Sequence, residues 1–365
     1  MTALAAVLAI DGGGSKTDAA LVAADGTLLA SARGGASNHQ VVGWDAALAV
    51  LSSLVSDVAA QAGVAAGAPV AVHTSACLAG ADVPDEEAEL TAAIGAQGWS
   101  TTATVVNDTF AVLRAGLDDD VAGRPWGIGV VCGQGTNCAG VAPDGRQFRF
   151  VALGAISGDW GGGGDLGPDA LWWAARAEDG RGQDTELRRA VPAHFGVSRV
   201  EDVILGVYRG TIRYAELFGL TPVLLAVANA GDEVARAVVI RQADEVCAMV
   251  GVAARTLGLV GGGPDGRPVP VVLGGSVVAA RDPLLTDAIT ERLAAQLPGA
   301  QVRIIDAPPV LGAALLGLDQ AGAPAASLAR LRAALARPAS PGRAAPRDPG
   351  PAADRADLPA AASAS

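Results

Sequence analysis

Apolar residues fall into two rhythms along this chain. Short continuous runs suit buried strands, and longer stretches in which apolar residues recur every three or four positions suit helices. Residues 5–9 and 19–23 are runs of the first kind, separated by Asp11-Gly12-Gly13-Gly14-Ser15-Lys16-Thr17, so the sequence predicts a strand, a glycine turn and a second strand. Asp25-Gly26 then turns the chain into a third strand at 28–32. Ser37, Asn38 and His39 are polar, sit outside any periodic run and predict a loop. From 44 to 62 the residues Ala47, Leu48, Leu51, Leu54, Val55 and Val58 keep helical spacing. A strand at 69–72, a helix at 84–96 with acids in its first turn, a strand at 104–106 stopped by Asn107-Asp108, and a helix at 109–115 follow.

At Trp126 the order begins again. A strand at 128–131, a glycine turn Gly133-Gln134-Gly135-Thr136-Asn137, a strand at 138–142, the turn Asp144-Gly145 and a strand at 148–152 repeat the pattern of residues 5–32. Such a duplication predicts two similar α/β domains facing one another, with their glycine turns opposed across a cleft. The second unit carries an insertion: a glycine-rich stretch at 154–167, then helices at 169–178, 184–194, 200–208 and 232–259. The sheet resumes at 269–273 before Gly274-Gly275-Ser276, followed by a helix at 283–296, a strand at 301–304 and a helix at 309–319. The expected domains are 1–116 and 117–322, with the helix 309–319 packing back on the first. Residues 323–365 lack strong apolar periodicity and are expected to be disordered.

Composition narrows the class of protein. At 365 residues the chain is long enough for two domains with substantial cores. No uninterrupted apolar run reaches the roughly 18 residues that a membrane span needs, and the chain opens on a core strand rather than a basic leader. A soluble, cytoplasmic protein is therefore expected. A formal charge of -12 argues against nucleic acid or an anionic membrane as partner. Cys77, Cys132, Cys138 and Cys247 show neither paired C-x-x-C spacing nor a secreted disulfide pattern, and read as small core residues.

The first glycine turn carries candidate chemistry. Three consecutive glycines leave backbone N–H groups bare and can form a concave nest for anionic oxygens. Ser15 and Thr17 add hydroxyl donors, Lys16 is the only lysine in the chain, and Asp11 sits where a carboxylate could hold a hydrated Mg²⁺ beside a phosphate. A tight hairpin with a solvated lysine would use the same residues. The stretch is not a Walker loop, because Lys16 follows Ser15 where that pattern requires glycine. Matches to G-x-G-x-x-G at Gly162 to Gly167 and Gly261 to Gly266 follow no strand and reflect a chain with 48 glycines.

Together, Asp11 to Thr17, Ser37-Asn38-His39, Asn107-Asp108, Gly133 to Asn137 with Gly158-Asp159, and Leu273-Gly274-Gly275-Ser276 resemble the motifs of the actin-like sugar kinases and ATPases. The resemblance is strongest to the N-acetylglucosamine kinase branch grouped with the BadF/BadG/BcrA/BcrD ATPases, and it covers residues 5–320. It implies an α/β duplicated actin-like (ribonuclease H-like) ATPase fold, two domains around a nucleotide cleft, with ATP and Mg²⁺ as cofactors. Gly12, Gly13, Gly14 and Ser15 on one side and Gly133, Gln134, Gly135 and Thr136 on the other would then clamp the phosphates. Gly274, Gly275 and Ser276 would receive the adenosine. Asp108 falls on the catalytic base, a position that also suits a helix N-cap. Asn38, His39, Thr136, Asn137, Gly154 and Asp159, with Asp108, fall near the sugar-binding positions, where short polar side chains suit hydroxyls. His39 could equally cap a backbone carbonyl. Relatives continue Gly-Asp with Glu-Gly-Ser, whereas this chain has Trp160-Gly161-Gly162, which puts the sugar's identity in doubt.

Three functions fit this group. One is transfer of the ATP γ-phosphate to the 6-hydroxyl of N-acetylglucosamine or a related amino sugar, by an enzyme expected to be a homodimer. Another is an activator ATPase of the 2-hydroxyacyl-CoA dehydratase type, which needs exposed cysteines for an iron–sulfur cluster. The third is a sugar-sensing regulator without catalysis.

Overall fold

The computed structural model describes residues 4–119 and 125–336. Strands β1 (Ala5–Gly12), β2 (Thr17–Val22), β3 (Leu28–Gly34), β4 (Ala71–Leu78) and β5 (Ser100–Asn107) form one sheet in the order β3-β2-β1-β4-β5. Strands β6 (Gly127–Cys132), β7 (Thr136–Val141), β8 (Gln147–Arg149), β9 (Val269–Gly274) and β10 (Ala300–Ile304) form the other, in the order β10-β9-β6-β7-β8. The second order is the first one repeated, read from the opposite edge. In each unit a hairpin leads into a third antiparallel strand, and two further strands run parallel to the first. The α/β duplication predicted from the hydrophobic pattern is thus a duplication of topology. No helix among the described residues is long and apolar enough to cross a membrane.

Both sheets are covered on two faces, which is why β1 and β2 read as continuous apolar runs rather than alternating ones. One face of the first sheet packs on the helices Trp44–Gln61 and Pro84–Gly95, through Leu51, Leu54, Val55, Leu90 and Ile94. The other face, with Val7, Ala9, Ala20 and Val22, packs on Val310, Leu311, Ala314 and Leu318 of the helix Val310–Gln320. The helix Asp108–Gly116 closes the first unit in sequence, yet it places Phe110, Val112 and Leu113 against Ala139, Val141 and Val272 of the second sheet. The two helices cross where a β-carbon on Gly312 would overlap the backbone of Ala111. Buried Arg114 ties them further, with Nε and Nη2 donating to Asp319 at 2.6 and 3.0 Å. The floor between the two units is therefore a helix pair, each contributed by the unit other than the one it packs on.

Several elements differ from expectation. β4 runs on to Leu78 and β5 begins at Ser100, because polar residues inside them find partners: Ser75 Oγ donates to the Ala313 carbonyl at 2.7 Å, and His73 Nδ1 meets Thr102 Oγ1 at 2.9 Å. The Ser37-Asn38-His39 loop gives way at His39 to a short helix, His39–Val42, capped by the Asn38 side chain. β8 ends at Arg149 rather than 152, and Ala152 adopts a left-handed conformation with φ 54°. The helix expected from 169 begins at Gly163, while a 3-10 turn at Tyr214–Leu220 and a helix at Thr221–Asn229 were not anticipated.

The tail expectation also needs correction. Ala325–Leu335 is a helix, with Leu328 and Leu331 buried against the first unit. Arg332 donates to Asp119 and to the Leu117 carbonyl, and Gly26 leaves room for the Ser327 carbonyl. Residues 337–365 lie outside the described residues.

Candidate active site

The first glycine turn spans the end of the β1–β2 hairpin, where Gly12 pairs with Thr17 and Gly13 N–H donates to the Lys16 carbonyl at 3.0 Å. Its glycines have different neighbours. A β-carbon at Gly12 would collide with Ser37 and Leu78, whereas one at Gly13 would meet only the Lys16 carbonyl oxygen, at 3.4 Å. Gly12 is thus required by the protein's own packing, and Gly13 is not. The Gly13 carbonyl accepts from Ser37 and Asn38 N–H at 3.1 and 3.3 Å, so the turn is bonded to the segment that carries Asn38. Thr17 is fully buried, and its hydroxyl donates to Gly35 O at 2.7 Å and meets the Ser37 hydroxyl at 2.8 Å. It braces the turn from behind rather than presenting a donor to a ligand. Ser15 and Lys16 are exposed at the tip.

The second turn is shorter, with Cys132 paired to Thr136 and Gly133 N–H donating to the Gly135 carbonyl at 2.9 Å. Gln134 projects from it toward the first turn: a β-carbon on Gly14 would stand 2.8 Å from Gln134 Oε1. The two turns are opposed, and a β-carbon at Gly135 would meet nothing within 4 Å. Behind this turn lies the glycine-rich stretch. Gly163 and Gly164 N–H donate to the carbonyls of Gly133 and Gln134 at 2.8 and 2.7 Å. Gly161 and Gly162, with φ 121° and 80°, leave no room for side chains against Thr136, Gln242 and the Gly135 backbone. Buried Gln242, which the sequence did not single out, accepts from Gly162 N–H at 2.7 Å and donates to Thr136 Oγ1 at 3.2 Å. The Thr136 hydroxyl therefore faces inward, like that of Thr17.

Gly275, at φ 95°, leans on the backbone of Cys132 and Gly133, and Gly274 faces Val112 and Ile305. The missing side chains at this pair make room for protein atoms, and Ser276 opens a short helix beyond them.

Asp108 is the first residue of its helix, and the cap is Asn107, whose Oδ1 accepts from Thr109 N–H at 3.0 Å. Asp108 is thereby left free of the capping role. Burial, followed by the charge of Asp82, pushes its carboxyl up to about 6, against hydrogen bonds from Thr109. Burial, followed by the charges of Asp108 and Asp18, pushes Asp11 up to about 8, while Lys16 and Arg33 pull it down. Two partly buried carboxylates, of which Asp108 raises Asp11, suit a base and the neighbour of a cation. No group of three or more His, Cys, Asp or Glu among the described residues could hold a metal ion. One carboxylate beside a phosphate turn fits Mg²⁺, which keeps most of its waters and takes oxygen from phosphate.

Around Asn107 the structure joins residues from both units. Asn137 Nδ2 donates to Asn107 Oδ1 at 3.3 Å, and its Oδ1 accepts from Cys138 N–H at 2.7 Å. Asn38 Oδ1 accepts from Gln40 N–H at 2.9 Å, which commits its oxygen to the cap. The His39 ring lies against Trp44, with centroids 4.5 Å apart, and its Nε2 is 4.0 Å from Glu86 Oε1. Gly154 starts a 3-10 turn, and Asp159 accepts from Ser157 Oγ at 2.5 Å and, among the described residues, from none of the first unit. Trp160 is covered by the Arg241 guanidinium, 3.8 Å from the ring centre. Asp82, Gln40, Glu86 and Arg149 escaped the sequence reading, since nothing in their spacing marks them.

The four cysteines are buried and free. Burial pushes Cys132 up to about 12 and Cys247 up to about 11, and raises Cys77 and Cys138 as well. None is presented to hold a surface cluster.

A family model described as the BadF/BadG/BcrA/BcrD ATPase family matches residues 8–317. The chain is similar to an N-acetyl-D-glucosamine kinase of Dictyostelium discoideum, 26% identical over 320 residues that cover 86% of this chain and 97% of that protein. It is also similar to an N-acetylmuramic acid/N-acetylglucosamine kinase of Clostridium acetobutylicum, 29% identical over 240 residues, 66% of this chain and 76% of that one. Among solved structures, a candidate N-acetylglucosamine kinase from Chromobacterium violaceum superposes with a TM-score of 0.67 at 25% identity, covering 86% of this chain and 99% of that one.

Proposed function

Since the chain belongs to the BadF/BadG/BcrA/BcrD ATPase family, we propose that it is an ATP-dependent kinase that moves the γ-phosphate of ATP to the 6-hydroxyl of N-acetylglucosamine or a close relative. The observation that carries the reading is the opposition of Gly14 and Gln134, which leaves two glycine turns facing each other, with only the Lys16 carbonyl oxygen near a β-carbon at Gly13 and nothing near one at Gly135. Backbone N–H groups of these turns bind the phosphates, and the glycines admit them closely. Asp11 would hold Mg²⁺ through water, and the ion would neutralise charge on the phosphates.

Asp108 takes the proton from the sugar hydroxyl as its oxygen attacks phosphorus and the bond to the ADP oxygen breaks. A carboxylate whose proton affinity is raised toward neutrality is a better base than an exposed one and is still ionised at pH 7. Asn38, Asn137 and Asp159 read the sugar from the two sides of the cleft. The similarity to two kinases that use N-acetylglucosamine supports the choice of acceptor.

An ADP-release assay over a panel of amino sugars, neutral hexoses and N-acetylmuramic acid tests the reading. We expect N-acetylglucosamine or a near relative to stimulate ADP release well above the sugar-free rate. A panel that nowhere exceeds that rate would contradict it.

A further inference from the structure

The base and the sugar-reading segment of the first unit are separate in sequence but share one anchor. Asp82 follows β4 and is partly buried. Its Oδ1 accepts from Asn107 Nδ2 at 2.9 Å and its Oδ2 from Gln40 Nε2 at 3.1 Å. Asn107 caps the helix that begins with Asp108, and Gln40 N–H is bonded to Asn38 Oδ1. The carboxylate thus holds the cap beside the base with one oxygen and the Asn38 turn with the other.

The anchor is itself constrained from two sides. Glu86 Oε2 accepts from the N–H groups of Asp82 and Val83 at 2.9 and 3.1 Å, and Glu86 Oε1 accepts from Gln40 at 3.0 Å. From the second unit, Arg149 Nη1 donates to the Ala81 carbonyl at 2.7 Å and pairs with Glu87 at 3.2 Å. The direction of each bond is consistent. Asn107 must turn its oxygen to Thr109 and Asn137 and its NH₂ to an acceptor, and Asp82 is that acceptor.

We propose that Asp82 is a positioning residue of the acceptor site: it fixes the Asn107 cap beside Asp108 and, through Gln40, the Asn38 turn, in one geometry that Arg149 of the second unit braces. The inference rests on reading Asp108 as the base. It gives the cross-unit contact a catalytic consequence, since the Ala81–Asp82 backbone is held in part by a side chain that only the assembled cleft supplies. It also explains why two carboxylates, Asp82 and Glu86, are kept close together here: Gln40 donates to both.

The test is steady-state kinetics of Asp82→Asn, Gln40→Leu and the double variant, with Asp108→Asn as reference, on the best sugar of the panel. Loss of a charged hydrogen-bond acceptor predicts a fall of about 10- to 100-fold in sugar kcat/KM for Asp82→Asn, with the KM for Mg·ATP within about threefold of wild type. A purely structural defect would lower the active fraction, and so kcat alone, and leave both KM values unchanged, whereas the loss of positioning also raises the sugar KM. Gln40→Leu changes an exposed side chain and is read in the same way should Asp82→Asn fold poorly, with sugar kcat/KM expected to fall about fivefold or more. The double variant should lose less than the sum of the two, because both act through one network. Wild-type sugar kcat/KM in both single variants, or equal damage to sugar and ATP constants, would overturn the inference. If Asp108→Asn is inactive while Asp82→Asn is unimpaired, the kinase reading stands and this inference falls; if Asp108→Asn is fully active, the reading beneath it falls.

Discussion

Gly14 and Gln134 face each other across the cleft so closely that a β-carbon on Gly14 would lie 2.8 Å from Gln134 Oε1. The turns around them differ from these two contact points: a β-carbon at Gly13 would meet only the Lys16 carbonyl oxygen, in ordinary contact at 3.4 Å, and one at Gly135 would meet nothing within 4 Å. A side chain at Gly13 should be tolerated by the fold and should intrude where phosphate binds. We predict that Gly13→Val keeps its thermal stability to within a few degrees and loses Mg·ATP binding by calorimetry. Wild-type affinity in that folded variant would remove the first turn from the phosphate site.

The raised proton affinity of Asp108 sets a pH limit. As a base it must be deprotonated, so sugar kcat/KM should be flat above about pH 7 and fall tenfold per unit below about 6. An unperturbed aspartate would place that limb near 4. A limb at about 4 would mean that burial and the Asp82 charge do not act on the base as described.

Asp11 makes the ligand-free fold sensitive to pH in a defined direction. Its folded-state value of about 8 lies above the ordinary carboxylate value, so the folded state binds more protons than the unfolded one between about pH 4 and 8. Stability from this group is present in full at low pH and is lost as pH rises through 8. In chelator, Asp11→Asn should therefore melt higher than wild type at pH 8, with the difference vanishing near pH 4. A variant that melts lower than wild type at pH 8 would contradict the sign.

Gln242 braces the second turn from the long helix Glu233–Leu257. Gln242→Leu would leave Gly162 N–H without its acceptor and Thr136 Oγ1 without its donor, at about 1–3 kcal/mol for each buried group left unpaired. Denaturant titration should show that loss, and calorimetry should show weaker Mg·ATP binding. An unchanged midpoint would mean that water or a rearranged Thr136 replaces the amide.

Much of the fold was legible because it is written in local periods. The two hairpins, their glycine turns and the helices Trp44–Gln61 and Pro283–Gln296 follow from apolar spacing and turn residues alone. β4 was read too short because His73, Thr74 and Ser75 interrupt the apolar run, and their burial depends on partners elsewhere. The helix Ala325–Leu335 offers only a narrow stripe, Leu328 and Leu331, which becomes informative once the sheet it covers exists. In the site, local motifs marked the glycine turns and Asp108. They misdirected the Thr17 and Thr136 hydroxyls, whose partners lie behind the turns. Gln242 is 106 positions from Thr136, and Gln40 is 42 from Asp82. Contacts at such separations are made by the tertiary fold and leave no spacing signal in the chain.

The measurement that tests the account most directly is phosphorus NMR of the products formed from Mg·ATP and N-acetylglucosamine by the wild-type protein and by Asp108→Asn. The account predicts one phosphomonoester on the sugar 6-hydroxyl for each ADP formed by the wild type. For Asp108→Asn, it predicts ester formation slowed by about 10²- to 10⁴-fold with ATP binding retained. ADP appearing with free phosphate and no sugar ester, or an Asp108→Asn protein that makes the ester at the wild-type rate, would contradict it.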